Sequence, residues 1–249
     1  MDLLDESLRF RHDIHWSVFM VDEKDSRSAP AGPIRGVILD YGEVLCHRPS
    51  PEVLAEMAGI FGIDEDKFLP IYRSSRNPYD RGDFTGHDYW IEFARRAGVT
   101  IHEHQVESLR RMDVQMWSNV NQEMTEWLAR LHSRGIKTAI LSNMQTDMAA
   151  HVRKNFAWLS HFDHQIFSCE LRAIKPDPVI YRHSLSLLKI APTEAVFVDD
   201  REENIQAARA VGIHGILFES VAQLRKDLQK LGFPILPGSG ADGNRRTGR

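Results

Sequence analysis

Four short segments carry the side chains best suited to chemistry: Asp40-Tyr41-Gly42-Glu43, Ser142-Asn143, Lys175 within Ile174-Lys175-Pro176-Asp177, and Asp199-Asp200 followed by Arg201-Glu202-Glu203-Asn204. Singly, each has an ordinary use. An aspartate leaving a strand commonly caps the next helix, Ser and Asn suit turns, and an acidic pair favours a helix N-terminus. A lone lysine is usually solvated. Gathered at one place, they do something else. Three carboxylates repel one another unless a cation sits among them, and an all-oxygen set suits Mg²⁺. Lysine and serine beside such a cation suit a phosphoryl group, whose oxygens need charge neutralisation and hydrogen-bond donors.

A sheet would gather them. Gly36–Asp40, Lys137–Leu141, Gln165–Ser168, Ala195–Val198 and Gly215–Phe218 are short, nearly continuous apolar runs. Such runs predict strands buried on both faces of a parallel sheet. Helical patterns at Gln122–Arg134, Pro178–Leu188 and Glu202–Val211 separate the later runs. The alternation predicts an α/β fold, a doubly wound parallel sheet with right-handed crossovers. Each chemical segment follows a strand, at the edge where open α/β sheets bind ligands.

Between the first two strands, residues 48–118 far exceed the dozen or so residues of an ordinary crossover. They read as an inserted helical cap, with helices at Pro51–Phe61, Asp64–Ser75, His87–Ala97 and His102–Trp117 and turns such as NPYDRGDF. The expected division is a flexible leader over 1–35, an α/β core over 36–47 and 119–233, the cap over 48–118, and a disordered tail over 234–249. Met20 within the leader is a second candidate start.

The chain has 249 residues, 42% hydrophobic, with 31 Lys+Arg against 35 Asp+Glu and a formal net charge of −4. That balance disfavours a surface built for a nucleic-acid backbone or an anionic membrane. No apolar run approaches the roughly 20 residues of a membrane span, and charges interrupt the N-terminal stretch where a signal peptide would be apolar. Two cysteines, Cys46 and Cys169, make no disulfide framework. The expectation is a cytoplasmic protein whose partner is a small phosphorylated molecule.

The four segments, as D-Y-G-E, L-S-N, K-P-D and V-F-V-D-D-x-x-x-N in this order, resemble the four motifs of the haloacid dehalogenase superfamily, most of whose members are phosphatases. The resemblance covers roughly residues 34–232, and the insert stands where that superfamily carries its type-one cap. The first motif is similar to that of members like a bacterial α-D-glucose-1-phosphate phosphatase. The resemblance implies a Rossmann-like core in which Asp40 is the nucleophile and forms an aspartyl-phosphate. Ser142 and the backbone at Asn143 would hold phosphoryl oxygens, and Lys175 would neutralise them and orient Asp40. Mg²⁺ would be held by Asp40, the Gly42 carbonyl, Asp199 and Asp200, the last directly or through water. Asn204 would orient its loop.

One position departs from that pattern. Most phosphatases of the superfamily carry a second aspartate, the general acid and base, where this chain has Gly42. Such help is typically worth about 10²–10⁴ in rate. Glu43 is the candidate substitute. Otherwise the substrate has a good leaving group, as an anomeric sugar phosphate does, and the phosphoenzyme hydrolyses slowly. The departure opens two alternatives: a 2-haloacid dehalogenase, which also lacks the second aspartate but works without metal, and a weakly catalytic binding or regulatory protein. The consecutive Asp199-Asp200 pair favours the phosphatase.

In the cap, Arg76, Tyr79, Arg81 and Tyr89 are candidates to contact substrate, while Trp90 reads as packing, as do Trp117, Trp127 and Trp158. The twelve histidines lack partners at metal-ligand spacing, and no HExxH, Walker lysine loop or GxGxxG is present. Cys46 reads as a small buried hydrophobe.

Overall fold

A computed structural model describes residues 32–238. The leader expected over 1–35 therefore lies almost wholly outside the described residues, as does the tail beyond 238. Five strands, β1 (Gly36–Leu39), β2 (Lys137–Ser142), β3 (His164–Phe167), β4 (Ala195–Asp199) and β5 (His214–Leu217), form one parallel sheet in the order β3-β2-β1-β4-β5. All five expected strands are present, with ends shifted by a residue. The lengthening matters at two places, because Ser142 and Asp199 become the last residues of β2 and β4.

Alternation along the strands divides the core into two layers. Val37, Leu39, Ile140, Val196 and Val198 face one cluster with Trp127, Leu128, Leu131, Met148, Val152, Leu224 and Leu228. Those residues come from α5 (Gln122–Ser133), α6 (Thr146–Asn155) and α10 (Val221–Lys230). Ile38, Ala139, Leu141 and Phe197 face the other, built on α8 (Pro178–Leu188) and α9 (Glu202–Ala210). A four-residue helix, α7 (Ser168–Leu171), follows β3 directly. Because β1 pairs with β2 on one side and β4 on the other, connections run opposite ways from it. That reversal opens a crevice at the carboxyl ends of β1 and β4.

The helices α1 (Pro51–Phe61), α2 (Glu65–Asp80), α3 (Gly86–Ala97) and α4 (Glu103–Gln115) bury an aromatic core of their own: Phe61, Phe68, Tyr79, Tyr89, Trp90 and Phe93. The turn expected at NPYDRGDF starts late. The backbone stays helical through Asn77, Pro78, Tyr79 and Asp80, with Pro70 and Pro78 inside α2. An interior proline typically costs ~3 kcal/mol or more. Here packing outweighs it: Tyr79 stacks on Tyr89 with ring centroids 3.9 Å apart, and Arg76 pairs with Asp80 one turn on at 3.0 Å.

The disorder expected from residue 234 does not begin there. The Ile235 carbonyl accepts from Trp127 Nε1 at 2.8 Å and the Leu236 carbonyl from Arg130 Nη2 at 3.1 Å, while Pro237 is buried. Donors on α5 thus satisfy two carbonyls of the segment that follows α10.

Candidate active site

Asp40 leaves the sheet directly after β1, its amide still donating to the Val198 carbonyl at 3.0 Å. Asp199 ends β4, the neighbouring strand. The two carboxylates flank the crevice, and Lys175 bridges them. Its Nζ lies 2.7 Å from Asp40 Oδ1 and 2.6 Å from Asp199 Oδ2, with all three side chains nearly or fully buried. The Asp40 contact is an ion pair off the hydrogen-bond direction, so Oδ1 is a buried oxygen without a hydrogen bond. Asp199 is better held. It accepts from the Arg201 amide at 2.9 Å and from Asn204 Nδ2 at 2.9 and 3.1 Å.

Asn143 explains how Lys175 reaches the site. Its Nδ2 donates to the Lys175 carbonyl at 2.9 Å, and its Oδ1 accepts from the Lys175 amide at 2.7 Å. The side chain therefore ties the loop after β3 to the end of β2. Ser142, buried at that end, stands next to it. Neither the spacing nor the residue type distinguished this tie from a phosphate contact.

Carboxylate oxygens of Asp40, Asp199 and Asp200 all lie within 4.8 Å of one another. Burial first, and then Asp199, push Asp40 up to about 6 against the pull of Lys175. Burial, Asp40, Asp199 and Glu43 push Asp200 up to about 7. Burial disfavours the Lys175 ammonium, but Asp199 and Asp40 outweigh it and raise its pKa. One ammonium among three acids leaves a deficit of positive charge. That deficit, in a set of carboxylate oxygens, fits a hard divalent cation.

Glu43 is brought near but not into this cluster. Its backbone is left-handed, at φ 54. Its carboxylate is taken by Arg48, whose Nε and Nη2 lie 2.8 and 2.7 Å away. Gly42 sits between Asp40 and Trp117. In the cap, Arg76 is already saturated. It donates to both oxygens of Asp113 at 2.9 and 3.0 Å and to Asp80, and three tyrosine rings surround it. Arg81 pairs with Asp83, and Tyr79, Tyr89 and Trp90 are buried in the cap's core.

Sequence reasoning missed the contacts that join the inserted helices to the α/β core. Gln145 accepts from the Met148 amide as the N-cap of α6 and donates across to Asp113 at 3.4 Å. Arg110 makes a forked pair with Asp147 at 2.8 and 3.1 Å. Ser168 donates to the Asp80 carbonyl and Arg172 to the Gly82 carbonyl. Only the position of Gln145, two residues past Asn143, hinted at its part. Asp40 itself is 6% exposed.

The chain is similar to known proteins in sequence and in fold. The chain is 35% identical over 126 residues to bifunctional epoxide hydrolase 2 of Rattus norvegicus, a stretch that is 48% of this chain and 23% of that protein. It thus spans about a quarter of that relative's length. It is 26% identical to ribulose-1,5-bisphosphate 5-phosphatase of Halopiger xanaduensis, over 70% of this chain and 78% of that one. A haloacid dehalogenase-family enzyme of Bacteroides thetaiotaomicron, solved with magnesium and inorganic phosphate, shares the fold with a TM-score of 0.62 at 22% identity, covering 75% of this chain and 94% of the other. So does the L-2-haloacid dehalogenase of Xanthobacter autotrophicus, with a TM-score of 0.56 at 20% identity and coverage of 84% and 90%. Among the described residues no helix is long and apolar enough to cross a membrane. Residues 34–212 match the haloacid dehalogenase-like hydrolases, and with Asp40, Lys175 and Asp199 assembled at the crevice of its parallel sheet, the chain is a hydrolase of that family.

Proposed function

We propose that this hydrolase is a Mg²⁺-dependent phosphatase of small phosphorylated metabolites, sugar phosphates foremost, acting in the cytoplasm through an aspartyl-phosphate. The observation that carries the reading is the buried Asp40–Lys175–Asp199 cluster with Asp200 beside it. A carboxylate needs no third acid to attack carbon. Three acids around one ammonium suit an anionic substrate only with a cation among them.

Asp40 attacks phosphorus and the bond to the leaving oxygen breaks. Water then cleaves the aspartyl-phosphate to release inorganic phosphate. Lys175 holds Asp40 ionised and offsets the charge of the phosphoryl oxygens. The Ser142 hydroxyl and the backbone at Asn143 donate to those oxygens. Asp40, the Gly42 carbonyl, Asp199 and Asp200 are the residues to hold Mg²⁺, which supplies the positive charge that lets an anionic nucleophile meet an anionic phosphate. Asn204 keeps Asp199 aimed. Glu43 is already paired with Arg48.

The test is phosphate release from a panel of sugar phosphates and p-nitrophenyl phosphate, with Mg²⁺ and with EDTA, beside Asp40→Asn. Metal-dependent release that Asp40→Asn abolishes is the expected result. Chloride release from 2-chloropropionate that persists in EDTA would replace this reading with the dehalogenase one, and metal-dependent binding without turnover would leave a binding protein.

A further inference from the structure

Gly42 leaves the nucleophile without a neighbouring side chain, and the backbone does not require it to. Residue 42 is outside the left-handed region, which its neighbour Glu43 occupies instead. The freedom that usually selects glycine is therefore unused at 42, and the reason for the residue is spatial. A Cβ there would stand 3.7 Å from Cζ3 of Trp117 and 3.9 Å from Oδ2 of Asp40. Both are van der Waals contacts. One methyl group would fill the gap between indole and carboxylate, and anything longer has the ring as its neighbour.

Trp117 is fixed in that place. Its carbonyl accepts a 2.6 Å hydrogen bond from the Tyr41 hydroxyl, and its side chain packs against both the cap's aromatic cluster and the cluster on one face of the sheet. It lies where the chain returns from α4 to α5, beside the contacts His47 N to Asn119 O and the bridge Cys46–Val120. Sequence reasoning gave it only a packing role.

Resting on the phosphatase reading, we infer that Trp117 is the specificity-determining residue of this site. Its indole borders the space beside Asp40 that a side chain at 42 would enter, and it selects phosphates that join a weakly basic leaving oxygen to a flat or apolar leaving group. As the Asp40 oxygen bonds to phosphorus, the bond to the leaving oxygen breaks and its electron pair goes with that oxygen. No side chain at 42 donates a proton, so the leaving group departs as an anion and is protonated afterwards by water. A strongly basic alkoxide forgoes the roughly 10²–10⁴-fold help of a general acid. A phenolate or a hemiacetal oxygen needs less of it, and an aromatic or ring-shaped group finds an indole to lie against.

The experiment measures phosphate release with Mg²⁺ from ring-substituted phenyl phosphates and from alkyl phosphates. It uses the wild type, Trp117→Phe, Trp117→Ala, Gly42→Asp and the double variant Gly42→Asp/Trp117→Ala, each checked for folding by thermal melting. Calorimetric titration with phenylphosphonate and methylphosphonate reads binding without turnover. In the wild type, kcat/KM should fall steeply as leaving-group pKa rises. Trp117→Ala should weaken phenylphosphonate by roughly 2- to 10-fold, the size of one aromatic contact, leave methylphosphonate unchanged, and be rescued by Trp117→Phe. Gly42→Asp alone should keep the steep dependence, and the double variant should flatten it. A shallow dependence in the wild type, equal effects on the two phosphonates, or flattening by Gly42→Asp alone would overturn the inference. Release from no phosphate at all is a different failure: it removes the phosphatase reading, and this inference with it.

Discussion

Gly82 offers a quantitative test of how the cap is held on the core. It lies in the turn after α2 with φ +80, and its carbonyl accepts from Arg172. A Cβ added there would meet the Cys169 carbonyl oxygen at 2.7 Å, its Cα at 3.1 Å and its Cβ at 3.2 Å. The obstacle is mostly backbone, of a helix that follows a strand, and cannot swing aside. Gly98 provides the control: it also has positive φ, +72, but nothing lies within 4 Å of an added Cβ. Left-handed backbone costs a non-glycine residue roughly 1–2 kcal/mol, and both Gly→Ala variants incur that. Forcing a methyl into a packed contact adds about 1–3 kcal/mol, and only Gly82→Ala incurs that. Gly82→Ala should therefore lose about 2–5 kcal/mol against about 1–2 for Gly98→Ala. At about 2–4 °C per kcal/mol for a chain of this size, the gap in melting temperature is roughly 2–12 °C. Thermal melting of both variants beside the wild type measures it, and urea titration gives the free-energy difference. Because the contact joins cap to core above a nearly buried nucleophile, Gly82→Ala should also change KM, and Gly98→Ala should not. Equal losses in the two variants would refute the claim that the Gly82–Cys169 approach holds the cap.

Lys175→Met should destabilise the protein by about 3–5 kcal/mol without added metal, because it leaves two buried carboxylates without their cation. Urea titration reads this, and Mg²⁺ should restore part of the loss. Asn143→Ala removes both ties to the Lys175 backbone and should cost roughly 1–3 kcal/mol, with a fall in kcat that inorganic phosphate binding separates from unfolding. Asp80, pushed up to about 6 chiefly by burial and then by Asp113 against the pull of Arg76, gives a pH signature. Its folded pKa lies above its ordinary value, so between about pH 4 and pH 6 the folded state binds more protons, and this group's contribution to stability falls as pH rises. Asp80→Asn should lose that slope and gain on the wild type across the window, as urea midpoints at pH 4, 5, 6 and 7 would show. Parallel profiles would sink the assignment.

Apolar runs such as Ala195–Val198 sufficed to place the strands, because a strand buried on both faces has no polar alternation to obscure it. The same runs placed Asp40, Ser142, Lys175 and Asp199-Asp200 at one sheet edge, since parallel strands present their carboxyl ends together. Local pattern misjudged Pro78, where a turn residue is held in a helix by Tyr79 on Tyr89 and by Arg76 on Asp80. It could not see that Asn143 holds Lys175, that Arg48 takes Glu43, or that Gln145 reaches Asp113. Gly42 shows the division best. Sequence determined that a side chain is missing two residues after Asp40, and only the tertiary structure decided that Trp117, 75 residues beyond Gly42, borders the space that side chain would enter. Strand placement depends on burial, which neighbours in sequence record through their polarity. The partners of a side chain depend on which distant segments the packed core brings within a few ångströms, and no local pattern encodes that.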